Sequence, residues 1–444
     1  MRTQSLSILL LAALTSLAPA QIADHVVREK IAGMDVLACK TGVKDVVTLR
    51  GSLPAGDSFA PANNLAIPTL AGEMLDQGTT QHDKFAIAQQ LEAVGARIDF
   101  SVGGVMTEFS GKCLRKDLPL VISLLAEELR TPSFPEEEFA KLKKQIAGDL
   151  RRALESPDFR AEQAFAEAIY PKGHPNYAPP VKDFLDAVDA AQIEEVKAFH
   201  ATCYGPADAT LVAVGDVEIE SLKAAVAEAF VGWSGGQRSP ASFPQASAPT
   251  TSHEAAIPMP DKPNVTVILG QASGLRYRDP DALALRLATA VLGHGFTGRL
   301  MANVRDKEGL TYGIEASTGK DTFADGEWRM EANFAPDLLE KGMESTKREL
   351  DSWYAHGITA AELERVKSAA IGTFEVGLTT TDGLSNALLD AIHRGYDVHW
   401  LDEYPARVKA VKLEQANAAL KKYLQPANMV VIEAGDLPPA TPGD

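Results

Sequence analysis

Cysteine is scarce in this chain. Three residues, Cys39, Cys113 and Cys203, lie far apart in 444, an odd number that cannot pair completely within the chain and shows no C-x-x-C spacing. Each sits in or beside a strand-like run and is read as a small buried hydrophobe, with one disulfide left open. Basic residues are also short, 43 against 60 acids, for a formal charge of −17. That balance disfavours nucleic acid and an anionic membrane as partners, since both need a cationic surface. It keeps an exported protein soluble and weakly favours basic peptides. Beyond residue 20 no segment reaches the ~18 uninterrupted apolar residues of a membrane span. There is no G-x-S-x-G nucleophile turn. The nine histidines are scattered; His82 in QHDKF and His174 in YPKGHPNY lack a nucleophile or second ligand at diagnostic spacing, which assigns them structural roles on the surface or in loops. GHGFTG (293–298) spells G-x-G-x-x-G but follows the helical run DALALRLATAVL, where a dinucleotide fold needs a strand. It is read as a tight glycine turn.

What is present begins with an address. Residues 1–20, MRTQSLSILLLAALTSLAPA, combine Arg2, a short apolar run and Ala-Pro-Ala, the pattern of a secretory signal peptide cut after Ala20. The expected location is periplasmic or secreted. The remainder repeats itself: EFAKLKKQIAGD (138–149) resembles ELERVKSAAIGT (362–373), placing Lys143 over Lys367 and Gly148 over Gly372. ATLVAVGDV, with Gly215 and Asp216, is answered by MVVIEAGDL, with Gly435 and Asp436. The same order of elements in both halves argues duplication. Between them, 235–263 is rich in Pro, Ser and Ala and is read as a linker whose length lets one half swing or fold across the other. The expected organisation is a signal peptide (1–20), a first half (21–234), the linker, and a second half (264–444). Alternating runs such as VVTLRGSL and TEFSGKC read as half-buried strands, and LPLVISLLAEELR and PEEEFAKLKKQIAGDLRRALE as amphipathic helices. The fold class is α+β, two homologous halves of mostly antiparallel sheet packed with helices.

The segment RLMANVRDKEGLTYGIEAST (299–318) sets Arg305 seven residues before Tyr312. By spacing alone it also describes a helix end, a turn at Gly309 and a strand with an outward tyrosine. With its GHGFTG flank and the two-half organisation, it resembles the arginine/tyrosine segment of insulinase/pitrilysin-type metallopeptidases, the inverzincins, and the likeness covers nearly all of the chain after the signal peptide. That resemblance implies a clamshell of two halves and a His-x-x-Glu-His zinc motif in the first. This chain has none. The family's flank survives as MLDQGT (74–79), and counting back puts Thr69 and Glu73 at the histidine positions and Gly72 at the glutamate. Positions i and i+4 share a helix face, but a threonine hydroxyl is a poor zinc ligand and glycine has no base. The third-ligand position falls on Asp149. Thr69, Glu73 and Asp149 would form at most a weak oxygen site for a hard cation, against a solvated or hydrogen-bonded set. No metal is expected in this chain. The resemblance implies that Arg305 and Tyr312 act in trans, completing the zinc site of a homologous His-x-x-Glu-His partner in a heterodimer that hydrolyses peptides. The alternative it leaves is a catalytically silent peptide-binding or scaffold subunit.

Overall fold

Strands with apolar residues at successive positions, rather than every second one, mark where this chain is covered on both faces. In the computed structural model, which describes residues 21–437, the run TLVAVG is buried at every position. The signal-peptide reading of 1–20 lies outside the described residues. The first sheet comprises β1 (Val26–Ile31), β2 (Met34–Lys40), β3 (Val46–Leu53), β4 (Arg97–Val102), β5 (Thr107–Leu114) and β6 (Thr210–Gly215), in the order β1-β2-β6-β3-β5-β4. The second comprises β7 (His253–Pro258), β8 (Val265–Ala272), β9 (Thr311–Gly319), β10 (Glu327–Phe334) and β11 (Val430–Gly435), in the order β7-β11-β8-β10-β9. Removing β1 makes the two orders identical, including one parallel pair in each, β2 with β6 and β7 with β11. The duplication read from the sequence is therefore a duplication of topology.

The repeated residues have matching structural duties. Lys143 Nζ donates to the carbonyls of Asp189 (2.7 Å) and Ala191 (2.9 Å), at the C-terminal end of helix Val181–Ala190. Lys367 Nζ donates to the carbonyl of Lys409 at 3.1 Å, at the end of helix His399–Ala410. A cation there complements the partial negative charge of a helix terminus. The paired Gly-Asp endings close β6 and β11. Gly215 (φ +133°) and Gly435 (φ +148°) adopt backbone that L side chains avoid, and a Cβ on either would lie 2.1 Å from the Val46 carbonyl oxygen or 2.6 Å from that of Asn264.

Each half carries one helix that covers the sheet of the other. Helix Pro157–Ile169, following the first half's long helix Glu136–Ala153, packs on β8 and β11. Helix Thr381–His393 packs on β3 and β6. Their starts are 224 residues apart (157 to 381), the offset of the sequence repeat. Phe165 is thereby buried against Ile268 and Ile432, and Leu388 against Val212 and Val214. Polar contacts follow the same seam: Thr48 Oγ1 to Thr381 Oγ1 (2.9 Å), Lys112 Nζ to Asp382 (2.6 Å), and Tyr170 Oη to Glu327 (3.0 Å). A hinge motion would have to strip both exchanged helices from apolar sheets. The length of 235–263 permits a swing, but this packing opposes it. The stretch is also tied down, since His253–Pro258 forms β7 and the Ala246 N–H donates to Asp325 Oδ2 at 3.0 Å.

The three cysteines are free and buried. Burial pushes the thiols up, Cys39 and Cys203 to about 11 and Cys113 to about 12. His174 takes the loop alternative and not the surface one. It lies in a loop but is 3% exposed, stacked on Tyr170 at 4.5 Å, with Asp325 of the second half 3.5 Å away. His82 pairs with Glu127 at 2.8 Å. Among the described residues no helix is long and apolar enough to cross a membrane.

Candidate functional site

The residues at the zinc-motif positions stand on a short helix, Ile67–Glu73, which buries Ile67, Leu70 and Ala71 and packs against helix Ile193–Cys203 and β4. Helical geometry puts Thr69 and Glu73 on one face, as their spacing predicts. Thr69 Oγ1, however, donates to Asp57 Oδ1 at 3.3 Å. Partial burial, with the charge of Asp76 adding to it, raises the Glu73 carboxyl above its ordinary pKa. Gly72 has no room for a general base, because a Cβ there would lie 2.2 Å from Val102 Cγ2 of β4. Asp149, on helix Glu136–Ala153, is paired with Arg152 one turn on. Among the described residues no three His, Cys, Asp or Glu side chains gather in a set able to hold a metal ion. The donors do not fit zinc: one is a hydroxyl already bonded, one a carboxylate taken by arginine, and the base position is filled by a valine methyl.

The arginine/tyrosine segment lies in the second half, where the chain departs twice from regular geometry. Met301–Lys307 is a π-helix, with the Glu308 N–H donating to the Asn303 carbonyl at 3.0 Å. Such wide turns are costly for the backbone and recur at functional sites. This one is clamped on its flanks. Arg299 grips Glu362 through two 2.8 Å hydrogen bonds and also donates to the Gly357 carbonyl at 3.1 Å; Asn303 donates to Glu349 at 2.9 Å. The grip of Arg299 holds the Glu362 carboxyl down to about 2. Gly309 (φ +68°) turns the chain into β9.

The second irregularity is at Tyr312. β9 is the edge strand, and its register with β10 pairs Gly313 with Asn333 but Thr311 with Phe334. Tyr312 is the extra residue of a β-bulge, a device that re-aims a side chain. The residue is 88% exposed. The Arg305 guanidinium lies 5.6 Å from the Tyr312 ring centroid and 5.2 Å from that of Phe296, with Asp306 Oδ1 at 3.3 Å from Nη1. The structure thus brings Arg305 and Tyr312 together, and leaves both on a different half from Thr69, Gly72, Glu73 and Asp149. Tyr312 faces outward and lines a cavity of about 680 Å3 together with Asp158, Thr266 and Asn333, while Arg305 is half-buried behind it. Such an arrangement offers a planar cation and a neutral O–H to an oxygen that carries or develops negative charge. Phe296, 71% exposed within GHGFTG, completes the face and was missed in the sequence, where only the glycines of that turn carried a signal. A large apolar residue between glycines was the available clue.

Residues 36–176 match the family described as Insulinase (Peptidase family M16), and residues 190–370 match the Peptidase M16 inactive domain. An uncharacterized zinc protease of Streptomyces coelicolor is 25% identical over 357 residues, 79% of this chain and 76% of that protein. The Helicobacter pylori protein named non-peptidase homolog YmxG is 19% identical over 83% of this chain and 84% of its own length. The crystal structure of a peptidase M16 inactive domain from Pseudomonas fluorescens superposes with a TM-score of 0.83 at 24% identity, covering 92% of this chain and 97% of that one, a likeness of fold.

Proposed function

The chain belongs to the insulinase (M16) peptidase family, with an inactive-type C-terminal half, and from that premise we propose that it is the non-zinc-binding subunit of a heterodimeric, exported peptidase. The observation that carries this reading is the division of the site: an exposed Tyr312 beside a half-buried Arg305 on a clamped, irregular segment, and a zinc-motif helix whose base position is closed by Val102. The partner subunit would carry His-x-x-Glu-His and its zinc, which when bound supplies the activated water. Tyr312 would donate its O–H to the peptide carbonyl oxygen as charge builds there. Arg305 would hold the tyrosine ring and the substrate backbone. Donors so placed typically contribute roughly 10²–10³ in rate each. On this reading residues 1–20 would serve as a signal peptide, and the complex would work in the periplasm or outside the cell.

A second reading, a silent scaffold or peptide-binding subunit, is favoured by the likeness to a protein named a non-peptidase homolog. Reconstitution separates the two. The chain alone is expected to be inactive, and adding a His-x-x-Glu-His partner encoded beside it should yield chelator-sensitive hydrolysis of unfolded peptides. Arg305→Ala and Tyr312→Phe should then lower kcat with the complex intact. Zinc-dependent cleavage by the isolated chain would refute the proposal, and unchanged kcat in both variants would favour the scaffold.

A further inference from the structure

The seam between the halves contains a cavity of about 360 Å3, separate from the Arg305/Tyr312 face, in which both halves and the connecting stretch meet. Its charge is unlike that of the chain around it. Two acids line it, and both are occupied: Asp35 pairs with Arg28 at 2.5 Å, and Asp208 pairs with Arg238 at 3.2 Å and accepts from the Ser239 N–H at 3.1 Å. Asp279, which follows Arg278 in the chain, accepts from the Arg276 backbone N–H at 2.8 Å. Of the cations lining the cavity, Arg394 is paired with Asp390 at 3.2 Å. Lys30, Arg276 and Arg278 make no ion pair with any carboxylate among the described residues. Three unneutralised cations on one cavity, in a chain of net charge −17, form a local positive site set in a negative field.

The rest of the wall is apolar or neutral. Phe243 and Phe323 line it, and Phe323 packs on His393 at 5.0 Å. His393 Nε2 is held by Ser52 Oγ at 2.7 Å, and burial pushes the imidazole down to about 4, so it adds no charge at neutral pH. Arg278 is an exposed residue of this wall. Gly395 (φ +76°) turns beneath it, and a Cβ there would come within 3.1 Å of Arg278 Nη1. An arginine fork matches the two oxygens of a carboxylate, and an aromatic wall beside it accommodates an apolar body.

We propose that this cavity binds a small organic carboxylate, its acid group on Arg276 and Arg278 with Lys30 adding charge, and its apolar body against Phe243 and Phe323. Such binding does not depend on heterodimerisation. It is tested by calorimetry on the whole exported chain with three probes: N-acetylphenylalanine, its C-terminal amide, and inorganic phosphate. The acid should bind, with the amide and phosphate each at least about tenfold weaker, since charge-assisted hydrogen bonds and apolar burial each carry at least that factor. Arg276→Gln and Arg278→Gln should each weaken the acid about tenfold or more without shifting the thermal unfolding midpoint. Absence of acid binding, equal binding of acid and amide, equal binding of acid and phosphate, or unchanged binding in both variants would each overturn the proposal.

Discussion

Gly72→Ala tests whether the helix face that carries Thr69 and Glu73 is closed by Val102. On an open helix face, replacing glycine by alanine favours the helix by about 1 kcal/mol. Here the new methyl would sit 2.2 Å from Val102 Cγ2, far inside van der Waals contact, and Val102 belongs to the edge strand β4, paired with β5 on one side. Overpacking of this kind costs about 1–3 kcal/mol, so the net change is expected to be a loss of roughly 0–2 kcal/mol where an open site would show a gain. Urea unfolding of Gly72→Ala, Val102→Ala and the double variant measures the coupling directly, and the two changes together should be less destabilising than their sum by about 1–2 kcal/mol. Additivity, or a stabilised Gly72→Ala single variant, would refute the reasoning. The corollary concerns revival: Thr69→His, Gly72→Glu and Glu73→His together should not restore a zinc peptidase unless Val102 is also reduced, because the base would enter occupied space.

The exchanged helices predict that Phe165→Ala costs about 3–5 kcal/mol and Leu388→Ala about 2–5, although each lies in the half opposite to the sheet it covers. Chemical denaturation followed by two probes, one per half, should show a single shared transition. For the Arg299 clamp, the Glu362 pKa is depressed from 4.5 to about 2, so its stabilisation is present above about pH 4.5 and lost as pH falls through about 2. The difference in unfolding free energy between the wild type and Glu362→Gln should therefore shrink across that window, and a pH-independent difference would contradict the ion pair. Buried thiols raised to about 11–12 should resist a thiol reagent at neutral pH in the folded chain, with all three cysteines reacting after unfolding.

Local chemistry made much of this protein legible. Periodicity marked the strands and helices, the Lys143/Lys367 and Gly-Asp repeats marked the duplication, and Thr69, Gly72 and Glu73 showed the zinc motif to be gone, because each of these depends on residues close in the chain. The depth of His174 was not legible, since its neighbours Tyr170 and Asp325 come together only when a loop of one half meets a loop of the other. Nor was the strand in 253–258, whose partner β11 lies almost 180 residues later.

By itself, then, the sequence determined the fold class, the repeat and the absence of a His-x-x-Glu-His motif, and it singled out Arg305 and Tyr312. Tertiary structure alone decided that each half lends a helix to the other, that a bulge turns Tyr312 outward beside Arg305, and that Val102 closes the place of the missing base. The physical reason is range. Propensity, periodicity and ligand spacing act over a few residues, whereas register, close packing and the cancelling of charge are settled by groups that only folding makes neighbours.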